Sequence, residues 1–415
     1  MNHTSDLIIA GGGASGVMAA LEARRAGFSG SITLLEKEEQ PLRKLLASGN
    51  GRCNLANLSP LEGRYRSDDL SLVRSVLGDY PAPLILERFA QLGLLTVEER
   101  EGRVYPRSFQ ARSVALSLLR ALDRADIRLL YPIRVLAIKA GPEGFELSAS
   151  DGALWQARAL IAACGSPASP DLGGTADGYR LLESLGHRLH EAVPSQVPLT
   201  LAAHPLTRYA QGVRFRGHAA FRASDGTLTE SQGEYLFTPY GLSGIAAMEL
   251  GAAVGRSAGK GGKPGTLTLD FLPEFSKGRI QSVLEASWTG HDDWQLLLAG
   301  LVADKIGRGL LAALPSLENL SKEEAAGILA GKLKACQMEV TGTRGFRFAY
   351  VAAGGIAAAG FDPATLMSRT QQGLFACGEL LDVDGDTGGF NLLWAFSSGC
   401  LAGRAAASYL RGLQA

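Results

Sequence analysis

The first 36 residues combine short apolar runs with a helical pattern. Leu7 to Ala10 is an apolar run that predicts a buried strand, and Ser31 to Leu35 predicts a second strand. A glycine-rich turn and a stretch with helical character lie between them. Strand, turn, helix and strand in this order predict a βα unit of the kind that opens a parallel sheet.

Residues 68–163 alternate between segments whose apolar residues repeat as in helices and segments whose apolar residues repeat as in strands. Residues 68–125 favour helices, with a short strand or turn at Gly102 to Arg107. Arg128 to Ala140 and Phe145 to Ala149 predict hairpin strands, and Arg158 to Ala163 predicts another apolar strand.

The remainder of the chain predicts a β-rich stretch, a helical unit and a long final helix. Tyr235 to Ile245 reads as a strand leading into a glycine-serine turn, and Gly259 to Gly265 as a flexible connector. Phe275 to Leu333 predicts helices, with caps or breaks at Ser276, Pro315 and Ser321. A buried strand at Leu374 to Cys377 and a helix from about Asn391 to Leu410 end the pattern.

Composition adds few constraints. A length of 415 residues predicts two or three domains, and 46% hydrophobic with 20% charged residues is ordinary for a globular protein. Lysine plus arginine equals aspartate plus glutamate at 41 each, so no global field favours nucleic acid or an anionic membrane. The N-terminus has no secretory pattern, and no apolar run approaches the roughly 20 residues of a membrane span, so we expect a cytoplasmic protein without membrane contact.

The cysteines and histidines do not predict a metal site. The cysteines are odd in number and scattered, without a C-x-x-C pair, which favours reduced thiols: Cys53, Cys164, Cys336, Cys377 and Cys400. The pair His187 and His190 is more typical of a surface helix or loop than of metal ligands.

The turn after the first strand carries the strongest chemical signal. Gly11, Gly13 and Gly16 form G-x-G-x-x-G between a strand and a helix, where they allow a sharp turn, a close approach of a pyrophosphate, and close helix packing. Glu36 ends the second strand 20 residues after Gly16, at the offset of a carboxylate that binds a ribose. A carboxylate favours an unphosphorylated ribose, as in FAD or NAD, and the turn alone does not choose between them.

Two further stretches carry polar groups. The loop Lys37 to Asn57 is rich in small and polar residues and suits a segment that follows a long ligand. Residues Ala192 to Ser224 contain no acid but four arginines, and the alternation around Phe215 places two of them on one strand face: Arg208, Arg214, Arg216 and Arg222. This face is either solvated or a contact for phosphate or nucleic acid.

Four motifs together resemble the HI0933-like (YhiN/BaiN-type) bacterial flavoproteins. They are the glycine turn with Glu36, the loop RKLLASGNGRCN from Arg43, the turn FTPYGLSG from Phe237, and GELLDVDGDTGGFNL from Gly378. The resemblance implies FAD and a glutathione-reductase-type Rossmann domain (1–193 and 339–415) with an inserted β-barrel-like domain (194–272) and a helical subdomain (273–338). Departures from the family pattern lie at Asn50, Ala163, Pro239 and Ile245, and Pro239 removes a proton donor.

The resemblance also implies a set of residues at the cofactor. Glu36 would hold the adenosine ribose, backbone near Val135 the adenine, Glu379 a ribityl hydroxyl, and the helix start after Gly388 the flavin edge that becomes anionic on reduction. The full expected set is Gly11, Gly13, Ala14, Ser15, Gly16, Glu36, Lys37, Arg43, Lys44, Ser48, Gly49, Arg52, Cys53, Asn54, Val135, Ala163, Gly165, Gly378, Glu379, Asp386, Gly388, Gly389, Asn391 and Leu392.

Three activities follow from the resemblance. The favoured one is NAD(P)H-driven reduction of an electron-poor C=C bond in a small molecule, with Tyr240 giving the proton and Arg52 and Cys53 as further catalytic candidates. The alternatives are oxidation of a small amine such as aminoacetone, and reduction of uridine in ribosomal RNA. No second glycine fingerprint occurs, so NAD(P)H would dock transiently, and Cys53 lacks the partner of a redox pair.

Overall fold

A computed structural model of the protein describes residues 2–259, 264–289 and 293–413. Backbone contacts divide it into two units. We call Met1–Ala192 with Val351–Ala415 the Rossmann unit, and Val193–Tyr350 the barrel unit.

The structure contains the following strands and helices, in chain order. The strands are β1 (Asn2–Ala10), β2 (Ile32–Leu35), β3 (Ala56–Asn57), β4 (Tyr65–Ser67), β5 (Thr96–Glu98), β6 (Arg103–Pro106), β7 (Arg128–Leu130), β8 (Val135–Gly141), β9 (Gly144–Ala149), β10 (Leu154–Ala162), β11 (Leu189–Ser195), β12 (Leu199–Leu201), β13 (Arg214–Ala223), β14 (Leu228–Thr238), β15 (Gly241–Ser243), β16 (Gly265–Asp270), β17 (Cys336–Thr343), β18 (Val351–Ile356), β19 (Leu374–Ala376) and β20 (Val383–Gly385). The helices are α1 (Ala14–Arg25), α2 (Arg43–Ala47), α3 (Leu70–Asp79), α4 (Ala82–Gln91), α5 (Ala111–Arg124), α6 (Asp177–Glu183), α7 (Pro205–Tyr209), α8 (Ile245–Glu249), α9 (Gly251–Ala258), α10 (Lys277–Ser287), α11 (Trp294–Ala299), α12 (Asp304–Ala312), α13 (Lys322–Lys334) and α14 (Phe390–Gly412).

The main sheet of the Rossmann unit is built on β1. Its order is β7-β2-β1-β10-β9-β8, and β19 also pairs with β10. β1 runs parallel to β2 and β10, and Ile9 lies opposite both Leu34 and Ile161. These apolar runs are buried because helices cover the faces of a parallel sheet, as the sequence pattern predicts.

The two ends of the chain meet at the pair of helices α1 and α14. A Cβ added to Gly399 would lie 2.3 Å from the Ser15 carbonyl oxygen, and one added to Gly403 would lie 2.1 Å from that of Ala19. Side chains larger than hydrogen are therefore excluded from this face of α14. The small residues of the last helix allow its backbone to approach α1.

The barrel unit contains a closed barrel in the order β12-β15-β14-β13-β16-β17. Aromatic rings fill its core, with Phe215 stacked at 5.3 Å from Tyr235 and 5.2 Å from Phe237, measured between ring centroids. Closure pairs strands that are distant in sequence: β12 with β17, and β13 with β16. The expected inserted barrel is thereby confirmed.

The expected elements between 68 and 149 need one correction. The predicted hairpin begins too early, because β7 pairs in parallel with β2, and only β8 and β9 form the antiparallel hairpin. The strand expected near Gly102 is β6, and the expected helices are α3, α4 and α5.

The helical segment after β16 begins and ends near the expected signals. Ser276 caps α10, and Ser321 forms a capping box with Glu324 at the start of α13. The sequence places a domain boundary at residue 339, and this residue lies within β17. The expected domain limits stay a prediction. The central part of the expected connector, 260–263, lies outside the described residues.

Candidate functional site

The glycine turn has a separate geometry at each of its three positions. Gly11 has φ +118°, and a Cβ there would lie 2.3 Å from the carbonyl oxygen of Ala163. A Cβ on Gly16 would lie 2.0 Å from the Gly11 oxygen, so this glycine sets the distance from helix to strand. A Cβ on Gly13 would meet nothing within 4 Å. The turn is closely packed on two sides and open at the position where a pyrophosphate is expected.

Glu36 is fixed beside this turn by backbone donors. Its carboxylate accepts from the N–H of Gly12 and from the N–H of Glu38, both at 2.8 Å, and the residue is only 9% exposed. The Glu36 carbonyl oxygen accepts from the N–H of Ile133, two residues before Val135. The acid and the expected adenine segment are therefore neighbours at the end of β2.

The polar loop after Glu36 joins the glycine turn to the end of the chain. Leu42 donates its N–H to the Gly12 oxygen at 3.1 Å. Asn54 is 9% exposed, and its side-chain oxygen has no hydrogen-bond partner. A Cβ on Gly389 would lie 2.8 Å from this oxygen, so the free acceptor lies at the beginning of α14.

The last glycine turn directs the N-terminus of α14. Gly388 and Gly389 have φ of +101° and +108°, which allows the chain to enter the helix at Phe390. The N–H groups of the first helical turn have no partner within the helix and carry its positive dipole end. This end of a 23-residue helix can stabilise an anionic ring edge.

The side chain of Asn391 is bonded to the acidic loop that precedes α14. Its oxygen accepts from the Gly385 N–H at 2.8 Å, and its amide donates to the carbonyl oxygens of Gly385 and Asp386. These bonds fix the acidic loop against α14. Only the backbone N–H groups of Asn391 and Leu392 stay available, so a side-chain contact from Asn391 to the cofactor is not supported.

Glu379 also has more protein partners than the sequence indicates. Its carboxylate accepts from Lys44 at 2.5 Å, from the Ser166 hydroxyl at 2.7 Å and from the Ala352 N–H at 2.9 Å. The carboxylate thus joins the polar loop, the segment after β10 and β18. The structure places Glu379 as a junction, and a ribityl contact stays a proposal.

Other charged residues of the expected set are paired with charged residues outside the set. Lys37 and Arg43 both bind Glu38, and the hydrogen bond from Lys37 is the main cause that lowers the pKa of Glu38. Asp386 pairs with Arg64 at 3.1 Å and with Arg66 at 2.7 Å.

The remaining members of the expected set lie around the same turns. Gly378 has φ +72°, and a Cβ there would lie 2.4 Å from the Ser15 hydroxyl. Ser48 donates to the Leu45 carbonyl oxygen and accepts from Cys53 through its own carbonyl. All expected cofactor residues, including Ala14, Gly49, Ala163 and Gly165, belong to the Rossmann unit.

Three supporting residues were missed by sequence reasoning. Ser398 accepts from the Gly378 N–H through its hydroxyl, Trp394 donates to the Gly378 oxygen, and Asn57 donates to the Gly388 oxygen. They hold the two turns that flank the acidic loop. Local sequence gave no signal for them, because each acts across 16 or more residues.

Cys53 has the character of a packing residue. It is fully buried, and burial raises the pKa of its thiol to about 12. A protonated, inaccessible thiol is neither a nucleophile nor a metal ligand. Its neighbour Arg52 stacks on Tyr105 with its guanidinium carbon 4.6 Å from the ring centroid, and pairs with Glu99 at 3.7 Å.

Replacing Cys53 by alanine should therefore leave FAD content and turnover within about twofold of the parent. The change removes one buried sulfur atom and no ionised group. Flavin absorbance per chain and steady-state turnover check this. A loss of turnover above about a hundredfold with full FAD content would establish Cys53 as a catalytic group.

Tyr240 belongs to the barrel unit and contacts a cation there. The guanidinium carbon of Arg344 lies 4.2 Å from its ring centroid and 3.9 Å from that of Phe348. The backbone oxygen of Tyr240 accepts from the Leu201 N–H. The aromatic clamp holds Arg344 over the tyrosine ring.

The arginine-rich strand carries less positive charge than its sequence indicates. Arg214 and Arg216 are exposed on one face of β13, as expected. The neighbouring β14 supplies acids, however: Arg214 pairs with Glu234, which also lies opposite Arg216, and Glu230 lies 3.6 Å from His218. Local neutralisation favours the solvated-face interpretation.

The histidine pair differs from expectation. His187 is buried, stacks on Phe361 at 4.6 Å and contacts the Ser368 hydroxyl, so the surface assignment was wrong for this residue. His190 bonds to Asp382 at 2.8 Å, near Asp68. Both carboxylates also accept from backbone N–H groups.

The sheet, the glycine turn and the two flanking turns define a Rossmann-type FAD-dependent oxidoreductase. The family described as HI0933-like protein Rossmann domain matches residues 5–405, and the chain belongs to this family. The chain is 37% identical to a 3-dehydro-bile acid delta(4,6)-reductase of Clostridium scindens, over 96% of this chain and 98% of the relative. It is 26% identical to a ribosomal RNA dihydrouridine synthase of Escherichia coli, over 95% and 96%.

A solved structure supports the fold. The 3-ketosteroid-delta4-(5alpha)-dehydrogenase of Rhodococcus jostii matches with a TM-score of 0.50 at 15% identity, over 98% of this chain and 97% of that chain. The sequence-based predictions of FAD and of a Rossmann fold are confirmed. Among the described residues, no helix is both long and apolar enough to span a membrane.

The residues in the Rossmann unit fit FAD. Gly13 leaves open the space a pyrophosphate needs, and Glu36 stands at the end of β2 beside it. The free oxygen of Asn54 and the N-terminus of α14 provide an acceptor and donors close together, which matches the donor and acceptor edge of a flavin ring. We propose that the first pair holds the nucleotide half of FAD and that the second holds the ring.

Proposed function

We propose that the protein uses NAD(P)H to reduce an electron-poor C=C bond conjugated to a carbonyl group in a small molecule. The observation that carries this proposal is the identity of 37% to a delta(4,6)-reductase over nearly the full length of both chains. The identity to the dihydrouridine synthase is lower, at 26%. The neutralised face of β13 supports the choice of a small substrate over RNA.

The residues of the Rossmann unit would act on the cofactor. FAD, when bound, supplies the hydride chemistry. The N–H groups at the start of α1 would hold its phosphates, and Glu36 the ribose. The first turn of α14 would stabilise negative charge at the ring, worth roughly 0.3 to 2 kcal/mol. Asn54 would orient the ring through its free oxygen, and the Glu379 junction would fix the distance between the two turns.

The hydride donor is proposed to bind transiently. The sequence has a single glycine fingerprint, which is assigned to FAD. NAD(P)H and the substrate would therefore bind near the cofactor one after the other. Such alternation predicts ping-pong kinetics, with parallel lines in double-reciprocal plots.

The decisive experiment mixes the enzyme with NADPH or NADH without oxygen and then adds a 3-dehydro-delta(4,6) bile acid. The flavin absorbance should bleach on the first addition and return on the second, and the product should gain two mass units per reduced bond. Bleaching that no conjugated enone reverses would refute the proposal. Return of colour only with uridine-containing ribosomal RNA would instead support the second candidate, which the dihydrouridine synthase relatives favour.

If the protein is instead an amine oxidase, the same mixing experiment should give the opposite response to NAD(P)H. An oxidase would resist bleaching by NAD(P)H and would release peroxide when aminoacetone and oxygen are added. Peroxide formation coupled to amine loss, with no enone reduction, would establish that activity.

Tyr240 is our proposed proton donor, and its replacement by phenylalanine should slow enone reduction about a hundredfold. Loss of a general acid typically costs 100-fold or more, while bleaching by NADPH needs no such acid and should be unchanged. Rapid mixing separates the two steps. Tyr209→Phe, at another partly exposed tyrosine of the barrel unit, is the control and should alter neither step.

A further inference from the structure

A cavity lies on the Rossmann unit between α1, α4 and α5. Its volume is about 380 Å³, within the range of small-molecule sites. The floor is apolar and includes Met18, Leu21, Leu92 and Ala121. It lies along α1 from Met18 to Arg25, whereas Gly11 and Gly13 precede the first residue of that helix.

The charge around this cavity is strongly unbalanced. Five arginines line it against one carboxylate, Glu22: Arg24, Arg25, Arg88, Arg120 and Arg124. Glu22 is buried and already bonded to Arg88 at 3.1 Å and to the Tyr80 hydroxyl at 3.2 Å. No acid of the lining is left to neutralise the other guanidinium groups.

Among the described residues, three of these arginines bond to other residues of the protein and two do not. Arg24 donates to four carbonyl oxygens, of Phe28, Gly30, Ala125 and Asp126, so it ties α1 to the end of α5. Arg25 donates to Gln91 on α4. Arg120 and Arg124 are exposed and, within the described ranges, make neither an ion pair nor a hydrogen bond. They stand one turn apart on α5 and can turn toward the same ligand.

Helix dipoles offset part of the repulsion between these arginines. Arg24, Arg25, Arg88 and Arg124 lie in the last turns of their helices, where the negative dipole end stabilises a cation. Arg120 lies one turn earlier and has no such compensation. Arg120 and Arg124 therefore present guanidinium groups without a carboxylate partner beside the apolar side chains of the cavity.

We propose that this cavity binds a phosphate-bearing small molecule of nucleotide type, with Arg120 and Arg124 contacting the phosphates. Guanidinium groups bind phosphate through paired, charge-assisted hydrogen bonds, which accounts for two unpaired arginines on one helix face. The apolar floor accounts for a base or another flat apolar body. This site is distinct from the FAD site and does not depend on the proposed reductase activity.

The test measures binding of ADP and of inorganic pyrophosphate to the FAD-loaded protein by calorimetry, with flavin absorbance confirming that FAD stays bound. We expect saturable ADP binding that weakens with added salt, and at least a tenfold loss in the double variant Arg120→Gln with Arg124→Gln. Both arginines are exposed, so the variant should fold normally. Arg74→Gln, at an exposed arginine of α3 outside the cavity, is the control and should bind as the parent does.

Three outcomes would overturn the assignment. The first is no ADP or pyrophosphate binding at millimolar concentration. The second is equal binding by parent and double variant. In the third, a short single-stranded RNA binds tightly, loses affinity in the double variant and ADP does not compete, which would make the groove a polynucleotide contact.

Discussion

Protein carrying valine in place of Gly13 is expected to fold normally and to be colourless. A side chain at this position meets no protein atom within 4 Å, and its backbone angles of φ −78° and ψ −175° suit any residue. The added methyl groups would occupy the space assigned to the pyrophosphate. We expect FAD affinity to fall at least about a thousandfold, since steric overlap and two lost charge-assisted hydrogen bonds together cost about 4 kcal/mol or more.

The same change at Gly78 in α3 is the matched control. This glycine also has open space around an added Cβ, but it lies on a helix outside the site. Thermal unfolding without FAD should be similar for both variants and the parent, and a flavin titration should separate them. Normal FAD binding by Gly13→Val would show that the pyrophosphate lies elsewhere and would refute our assignment of the turn.

The glycine turn could be predicted from sequence because its geometry is local. Gly11, Gly16 and Glu36 act within one βα unit, and the spacing of the residues determines their relative positions. Asn54 was likewise expected at the cofactor, although its empty acceptor could only be seen in the structure.

Roles that depend on distant partners could not be predicted. Glu379 is an acid beside a glycine in the sequence, and only the fold brings Lys44 and Ser166 to it. The acids that lie beside the arginines of β13 could not be predicted for the same reason. The 33 acid-free residues end before β14, which supplies Glu230 and Glu234 across the strand pair.

The order of the strands in the closed barrel could not be predicted from sequence either. Alternation along β13 predicts a strand with two faces, but it contains no information on which strand lies beside it. β17, some 110 residues later, completes the barrel. Helix caps such as Ser276 and Ser321 were predicted because each acts on the three residues that follow it.

The second large effect that we expect is a loss of stability when the contact between α1 and α14 is disrupted. Replacing Gly403 by alanine would place a methyl group 2.1 Å from the Ala19 carbonyl oxygen, and backbone on both sides leaves no flexible atom to move. We expect a destabilisation of about 3 kcal/mol or more, which for a chain of 415 residues corresponds to a melting temperature lower by about 3 °C or more. Helix propensity alone would predict the opposite sign, because alanine is favoured over glycine by about 1 kcal/mol.

Gly412→Ala isolates the packing effect from helix propensity. It is the same substitution in the same helix, and a Cβ there meets nothing within 4 Å. This control should melt at or slightly above the parent temperature. Gly403→Ala should also bind FAD more weakly, because a shift of α14 away from α1 moves the N–H groups at its start away from Asn54. Unchanged stability and unchanged FAD affinity in Gly403→Ala would mean that the close contact of the two helices does not position the ring-binding end of the site.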